Sequence, residues 1–191
     1  MKKVIAIVVL GLLLITPSQA NDIRDFQIEG ISIGDSLLDY FSENQIKQDS
    51  WPWRNVDDIF RMFSPIKNYK YYDYVMFTFL GEDKNYIIQE VAGRKNMKIE
   101  DCKKLQLEFI KDIEELIPDS KKNNITTDEY RGDKSKKSTK TYINFYSGDG
   151  FIHIGCYDFS EKFAKENDYD DGINVSIGSK KFLDFQSSGA F

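Results

Sequence analysis

Ile99, Cys102, Leu105, Phe109, Ile113 and Leu116 recur every three or four residues. That spacing places them on one stripe of a helix, with lysines and acids over the remaining surface. It predicts an amphipathic helix that starts near Ile99, is capped by Asn96 or Asp101, and stops at Pro118. Elsewhere the dominant period is two. Residues 26–33 (FQIEGISI) alternate apolar and polar and predict one or two short strands. Tyr69 to Leu80 is dense in aromatic and β-branched residues, and a Gly-containing loop links it to a second strand over Tyr86 to Ala92. Thr141 to Tyr146 and Phe151 to Phe159 flank Ser147-Gly148-Asp149-Gly150, a hairpin signal. Gly172 to Ile177 puts Ile173, Val175 and Ile177 on one face.

Shorter elements fill the gaps. Leu37, Leu38, Tyr40, Phe41 and Ile46 recur at helical spacing behind Asp35 or Ser36 as N-cap. A second short helix is expected over Val56 to Phe63, before Pro65. Residues 119–138 are polar and lysine-rich and read as a long loop. Ser160 to Lys165 reads as a helical turn, Lys180 to Phe185 fits helix or strand, and Gln186 to Phe191 reads as a frayed end. Strands joined by tight turns, with no regular strand–helix–strand alternation, give an α+β fold. Its expected form is an antiparallel β-sheet with amphipathic helices packed on one face.

The first twenty residues follow neither period. Lys2 and Lys3 precede an apolar run from Val4 to Ile15, and Ser18-Gln19-Ala20 has the small-x-small pattern of signal peptidase sites. Residues 1–20 are expected to be a signal peptide, cut between Ala20 and Asn21, because the run is too short to span a bilayer comfortably. Removing them from 191 leaves 171 residues, enough for one α+β domain over 21–191. Loss of the two lysines takes the net charge from −5 to −7, which argues against general nucleic-acid binding. No later segment is apolar enough to span a membrane after signal cleavage. Lysine outnumbers arginine 21 to 5 and alanine occurs five times, a bias of AT-rich genomes. Together these features imply a bacterial protein exported to the periplasm or secreted.

Gly34-Asp35-Ser36-Leu37 follows a strand-like Ile-Ser-Ile and precedes the helical spacing. It resembles the opening block of the GDSL (SGNH) esterases and lipases. That resemblance implies Ser36 as nucleophile, with its own backbone N–H in an oxyanion hole at a strand-to-helix turn. It also implies a histidine base and a parallel α/β sheet. The sole histidine is His153, with Asp149 four positions before it, where the family carries a D-x-x-H near its C-terminus. The other reading of the tetrapeptide is a turn at Gly34 followed by a helix cap.

Cys102 lies on the helical stripe and Cys156 shares a strand face with Ile152 and Ile154, so both point to the expected core. An exported protein commonly pairs two such cysteines, and a Cys102–Cys156 disulfide would contribute about 2–4 kcal/mol. The alternative is two buried, inert thiols. One histidine and two separated cysteines make no zinc site, and Asn167 to Gly172 has Tyr169 where a calcium loop needs a side-chain oxygen. No metal or cofactor is implied. Arg131-Gly132-Asp133 reads as a chance tripeptide. Trp51, Trp53, Tyr72 and Tyr74 are the candidate binding face, as an aromatic platform for a protein or small molecule. The whole pattern resembles small exported proteins of AT-rich Gram-negative bacteria. Its helices followed by an aromatic hairpin are similar to small outer-membrane-assembly lipoprotein domains, without their lipidated cysteine. The functional expectation is a non-enzymatic binding or envelope-assembly module, with a Ser36 esterase as the alternative.

Overall fold

The structure is a computed structural model and describes residues 23–53 and 59–188. The expected signal peptide, the first part of the expected 56–63 helix and residues 189–191 lie outside the described residues. Nine strands form one sheet. They are β1 (Ser50–Pro52), β2 (Phe60–Phe63), β3 (Tyr74–Leu80), β4 (Ile88–Asn96), β5 (Lys121–Lys122), β6 (Thr126–Glu129), β7 (Thr139–Ser147), β8 (Gly150–Asp158) and β9 (Gly172–Ser179). The helices are α1 (Glu43–Asp49), α2 (Ile99–Leu116), α3 (Glu161–Asn167) and α4 (Lys180–Ser187). Strand order is β1-β2-β3-β4-β9-β8-β7-β5, with β6 also on β7, and every pairing is antiparallel. The fold is the expected α+β class.

Register decides which side chains face which layer, since residues level across a sheet point the same way. Ile152, Ile154 and Cys156 of β8 lie level with Ile177, Val175 and Ile173 of β9. Phe145 and Ile143 of β7 continue those rows. This inner face is covered by α2 through Cys102, Phe109, Ile110 and Ile113, all buried. Cys102 and Cys156 form a disulfide there. Gln106 is the buried polar residue of the same helix face. Its Nε2 donates to the Thr141 and Ile154 carbonyls at 2.9 and 3.1 Å, so its burial leaves no amide donor unmet by the sheet.

A largely irregular segment covers the other half of the inner face. Phe26, Ile28, Ile31, Ile33 and Leu37 pack in one core with Phe63, Phe77 and Phe79. The strands expected over 26–33 reduce to a single Ile28–Ile31 bridge. The reason is local: Glu29 and Gly30 take φ of 54° and 80° and fold the chain into a tight turn. The Glu29 carboxylate then accepts the Lys70, Tyr71 and Tyr72 N–H groups. Those bonds hold residues 70–72 outside the sheet, so β3 starts at Tyr74 and not at Tyr69. The helix expected from Leu37 to Ile46 is split in two because two serines cap in succession. Ser36 caps a short 3-10 turn and Ser42 caps α1.

Two further expectations are corrected. Phe60–Phe63 is strand β2, where a helix was expected. Its Phe60 and Phe63 face opposite layers, and the strand pairs β1 and β3. The polar loop over 119–138 contains β5 and β6, which together line the outer edge of β7. An edge strand buries little, so its polar composition gives no alternation to read.

Candidate functional site

The outer face of the sheet is covered at one end only. There α4 folds back after β9, and Phe182 packs with Trp53, Phe60 and Phe151, all buried. The Trp53–Phe182 and Phe60–Phe182 ring contacts are edge-on, at 5.4 and 5.1 Å. Beyond α4 the outer face opens into a groove of about 500 Å³. A cross-strand row forms its floor: Tyr74 of β3, Arg94 of β4, Asn174 of β9, Gly155 of β8 and Tyr142 of β7. The next row supplies Tyr157 and Lys140. Gly155 keeps the floor low: a Cβ there would lie 2.8 Å from His153 Nε2 and 3.3 Å from the Tyr157 ring.

Arg94 sits at the centre of this groove and is only 9% exposed. Its guanidinium carbon lies 5.0 Å from the Tyr157 ring centre and 5.2 Å from that of Phe159. One Nη2 donates to the Asp170 carbonyl at 2.5 Å. Lys140 lies 4.3 Å from the Tyr142 ring, and the Tyr142 hydroxyl donates to Asp128 at 3.0 Å. Burial raises the Tyr74 and Tyr157 phenols above their ordinary range. The bond to Asp128 does the same for Tyr142. All three therefore stay protonated at neutral pH, with the Tyr142 proton already given to Asp128.

The groove wall is held by a buried carboxylate. Asp133 accepts the Ser138 N–H and hydroxyl, the Ser135 N–H and the Ser160 hydroxyl. These bonds hold its carboxyl far below the usual range. They tie the β6–β7 turn to the start of α3, which stacks Tyr130 edge-on to Phe159 at 5.2 Å. The Arg131-Gly132-Asp133 tripeptide is thus a turn whose carboxylate is enclosed. Within Asn167 to Gly172, Asp168 ends α3 with φ 56°, the Asp170 carboxylate accepts from Asn96, and that of Asp171 accepts the Phe159 N–H.

The residues singled out from sequence are dispersed. Tyr74 is 43% exposed on the groove rim. Tyr72 is buried in the inner core, over Gly93, where a Cβ would meet its ring at 2.7 Å. Trp53 is buried under α4, and Trp51 is exposed on the edge strand β1. Ser36 lies at a bridge to Ile87, donates to the Asn85 carbonyl at 2.6 Å and accepts from the Leu38 N–H at 3.1 Å. His153 lies mid-strand on the outer face, level with Ser176 and hence with Ala92. Ile87 is five residues from Ala92, so about 15 Å of strand separates Ser36 from the level of His153. The structure does not bring these two residues together. The groove residues Arg94, Tyr142, Tyr157 and Asn174 escaped the sequence reading. Their one visible signal was the polar half of each strand's alternation, which normally faces water.

His153 Nδ1 shares a 2.6 Å hydrogen bond with Asn144 Oδ1. Burial, with Lys140 acting in the same direction, pulls the imidazole from 6.5 down to about 3. Above pH 6.5 the ring is neutral in both folded and unfolded chains. Below it the unfolded chain takes a proton that the folded ring refuses until about pH 3. Stability is therefore lost as pH falls through that window. The ring is partly exposed, so the expected loss is on the order of 2 kcal/mol, not the full shift. Urea denaturation at pH 7 and pH 4 checks this: His153→Gln should lose less stability than wild type. Equal losses would show that the imidazole is not the acid-sensitive group.

No helix among the described residues is long and apolar enough to cross a membrane. Comparison with protein-family models, curated proteins and solved structures finds no match.

Proposed function

We propose that this protein is a non-enzymatic binding module, exported to the cell envelope, which takes its ligand in the outer-face groove. The observation that carries this reading is the half-covered sheet. Helix α4 closes one end of the outer face with a packed aromatic cluster. The other end gathers aromatic rings, Arg94 and Asn174 around a cavity. The cavity lies in the range of small-ligand sites, roughly 300–1,000 Å³. Tyr74 belongs to both the sequence-derived binding face and this groove. The leader-like residues 1–20 and the disulfide support an oxidising compartment.

Photo-crosslinking in living cells tests the reading. Benzoylphenylalanine replaces Tyr74 on the groove rim, or Leu107 on the exposed side of α2 as control. The expected result is an adduct from position 74 and none from position 107, on envelope-fractionated protein whose N-terminus is Asn21. Absence of any adduct at 74, or retention in the cytoplasm, would overturn it. In the same preparation a fluorophosphonate probe should leave Ser36 unlabelled. Labelling lost in Ser36→Ala would turn the reading to a serine esterase.

A further inference from the structure

Arg94 is a buried cation without an acid. It is 9% exposed and, among the described residues, forms no ion pair. Buried charges are normally paired, because desolvating a lone cation costs several kcal/mol. A guanidinium has five N–H donors. Here one carbonyl and two aromatic faces are its partners. The nearby acids are occupied elsewhere. Asp128 accepts from Tyr142, Glu129 pairs with Lys136 at 3.3 Å, and Asp170 takes the Asn96 amide. The charge of Arg94 therefore faces a groove whose own acids, Asp128 and Glu129, bond to other groups and form no ion pair with it.

The rest of the groove narrows the anion's chemistry. The central floor strands β4, β9, β8 and β7 are each paired on both sides and offer no free edge to an extended peptide, whereas β3 at the rim pairs with β2 only from Phe77 onward. Across the central floor, recognition comes from side chains. Besides Arg94, those lining it are phenol rings, the Asn174 amide and the charged side chains of Asp128, Glu129, Arg131 and Lys140; the phenols give flat apolar faces, with the Tyr142 hydroxyl already bonded to Asp128. A sugar ring has the matching form, with an apolar C–H face and hydroxyls around its rim. A phosphate or free carboxylate alone would leave the rings unused.

We propose that the groove is a carbohydrate subsite for a sugar ring that bears a carboxylate. Arg94 binds the carboxylate, while Tyr74, Tyr142 and Tyr157 surround the ring. This deepens the binding-module reading and rests on it. The fork of Arg94 suits a carboxylate because two parallel N–H donors match its two oxygens. Asn174, level with Arg94 on the next strand, is placed to take a hydroxyl.

The test is retention of the purified protein on an array carrying uronate-, sialate- and muramate-containing glycans beside their neutral counterparts. Calorimetry on the best acidic glycan and its neutral counterpart follows. The acidic glycan should bind at least 10-fold tighter. Arg94→Gln should abolish that preference, a loss of roughly 10- to 100-fold, the span of a charge-assisted hydrogen bond. Tyr74→Ala, at an exposed rim position, should weaken both glycans and leave the preference intact, which keeps the test valid should Arg94→Gln fail to fold. Equal affinity for acidic and neutral glycans would overturn the assignment of Arg94. Retention of no glycan would overturn the sugar assignment. If either result coincides with a Tyr74-position crosslink in cells, the binding-module reading stands and this inference alone fails.

Discussion

Removal of the Cys102–Cys156 bridge should lower the unfolding free energy by about 4 kcal/mol, through the chain entropy regained by the unfolded state. The two cysteines are 54 residues apart in sequence. The bridge thus closes a loop that contains most of α2, β5, β6, β7 and nearly all of β8. Both residues have no exposed surface. Alanine in their place leaves small apolar groups among Ile110, Ile154 and Ile173, so the native state loses little packing. Helix α2 still holds the sheet through Phe109 and Ile113, and the Gln106 bonds to two strands remain. The expected double variant therefore keeps the fold and unfolds at lower urea. The check is urea denaturation of wild type and of Cys102→Ala/Cys156→Ala, each with and without reductant. Reductant should shift the wild-type midpoint toward that of the variant and leave the variant unchanged. A wild-type shift of less than about 1 kcal/mol would show that the loop is already constrained in the unfolded chain. The same dependence favours folding in an oxidising compartment.

What the sequence revealed depended on whether one period dominated a segment. The extent of helix α2 was legible because Ile99 to Leu116 carries an unbroken stripe and Pro118 follows, but its cap was not: Lys98, and neither Asn96 nor Asp101, is the N-cap, and it makes no side-chain cap bond. Strands β7, β8 and β9 were legible because the middle of each inner face is apolar: Ile143 and Phe145, Ile152 and Ile154, and Ile173, Val175 and Ile177. One cysteine on that stripe and one on that face fit the disulfide that the structure forms. The misread segments are those in which local patterns were overruled by a distant partner. Residues 26–33 alternate like a strand, yet the Glu29 carboxylate is engaged by residues 70–72 and the chain turns there. Thr126 to Glu129 has no apolar residue, yet it pairs with β7 as an edge. The groove was hidden for the same reason. Arg94 on a strand reads as a solvent-facing residue until Tyr157 and Phe159, more than sixty positions later, close over it. Aromatic density around residues 69–74 was a true signal, but the backbone sends Tyr72 inward and Tyr74 outward, two residues apart. The Glu29 clamp ends at Tyr72 and β3 begins at Tyr74, so the two lie in different structures despite their spacing.

Phe182→Ala should cost about 3–5 kcal/mol, the range for truncating a fully buried aromatic, and it should report its own mechanism. Phe182 is the one residue of α4 that is fully enclosed. It is the hub of the outer cluster, with Trp53 and Phe60 edge-on to its ring. Helix α4 is only eight residues long, too short to be stable without packing. Its Ser179 cap, which accepts the Phe182 N–H at 3.2 Å, cannot hold it alone. Losing the ring therefore releases the helix and exposes Trp53, now 5% exposed. Trp51 is already exposed at 39%, so Trp53 dominates any change in indole environment. The expected result is a red shift in native-state tryptophan emission, together with a lower urea midpoint. The groove should survive, because Arg94, Tyr157 and Phe159 are held by Asp170, Asp171 and the Asp133 clamp, none of which touches α4. A variant that loses stability without an emission change would place the cost elsewhere and show that α4 stays docked. A variant that also loses groove ligand would show that the two ends of the outer face are mechanically coupled, against the separation that the packing describes.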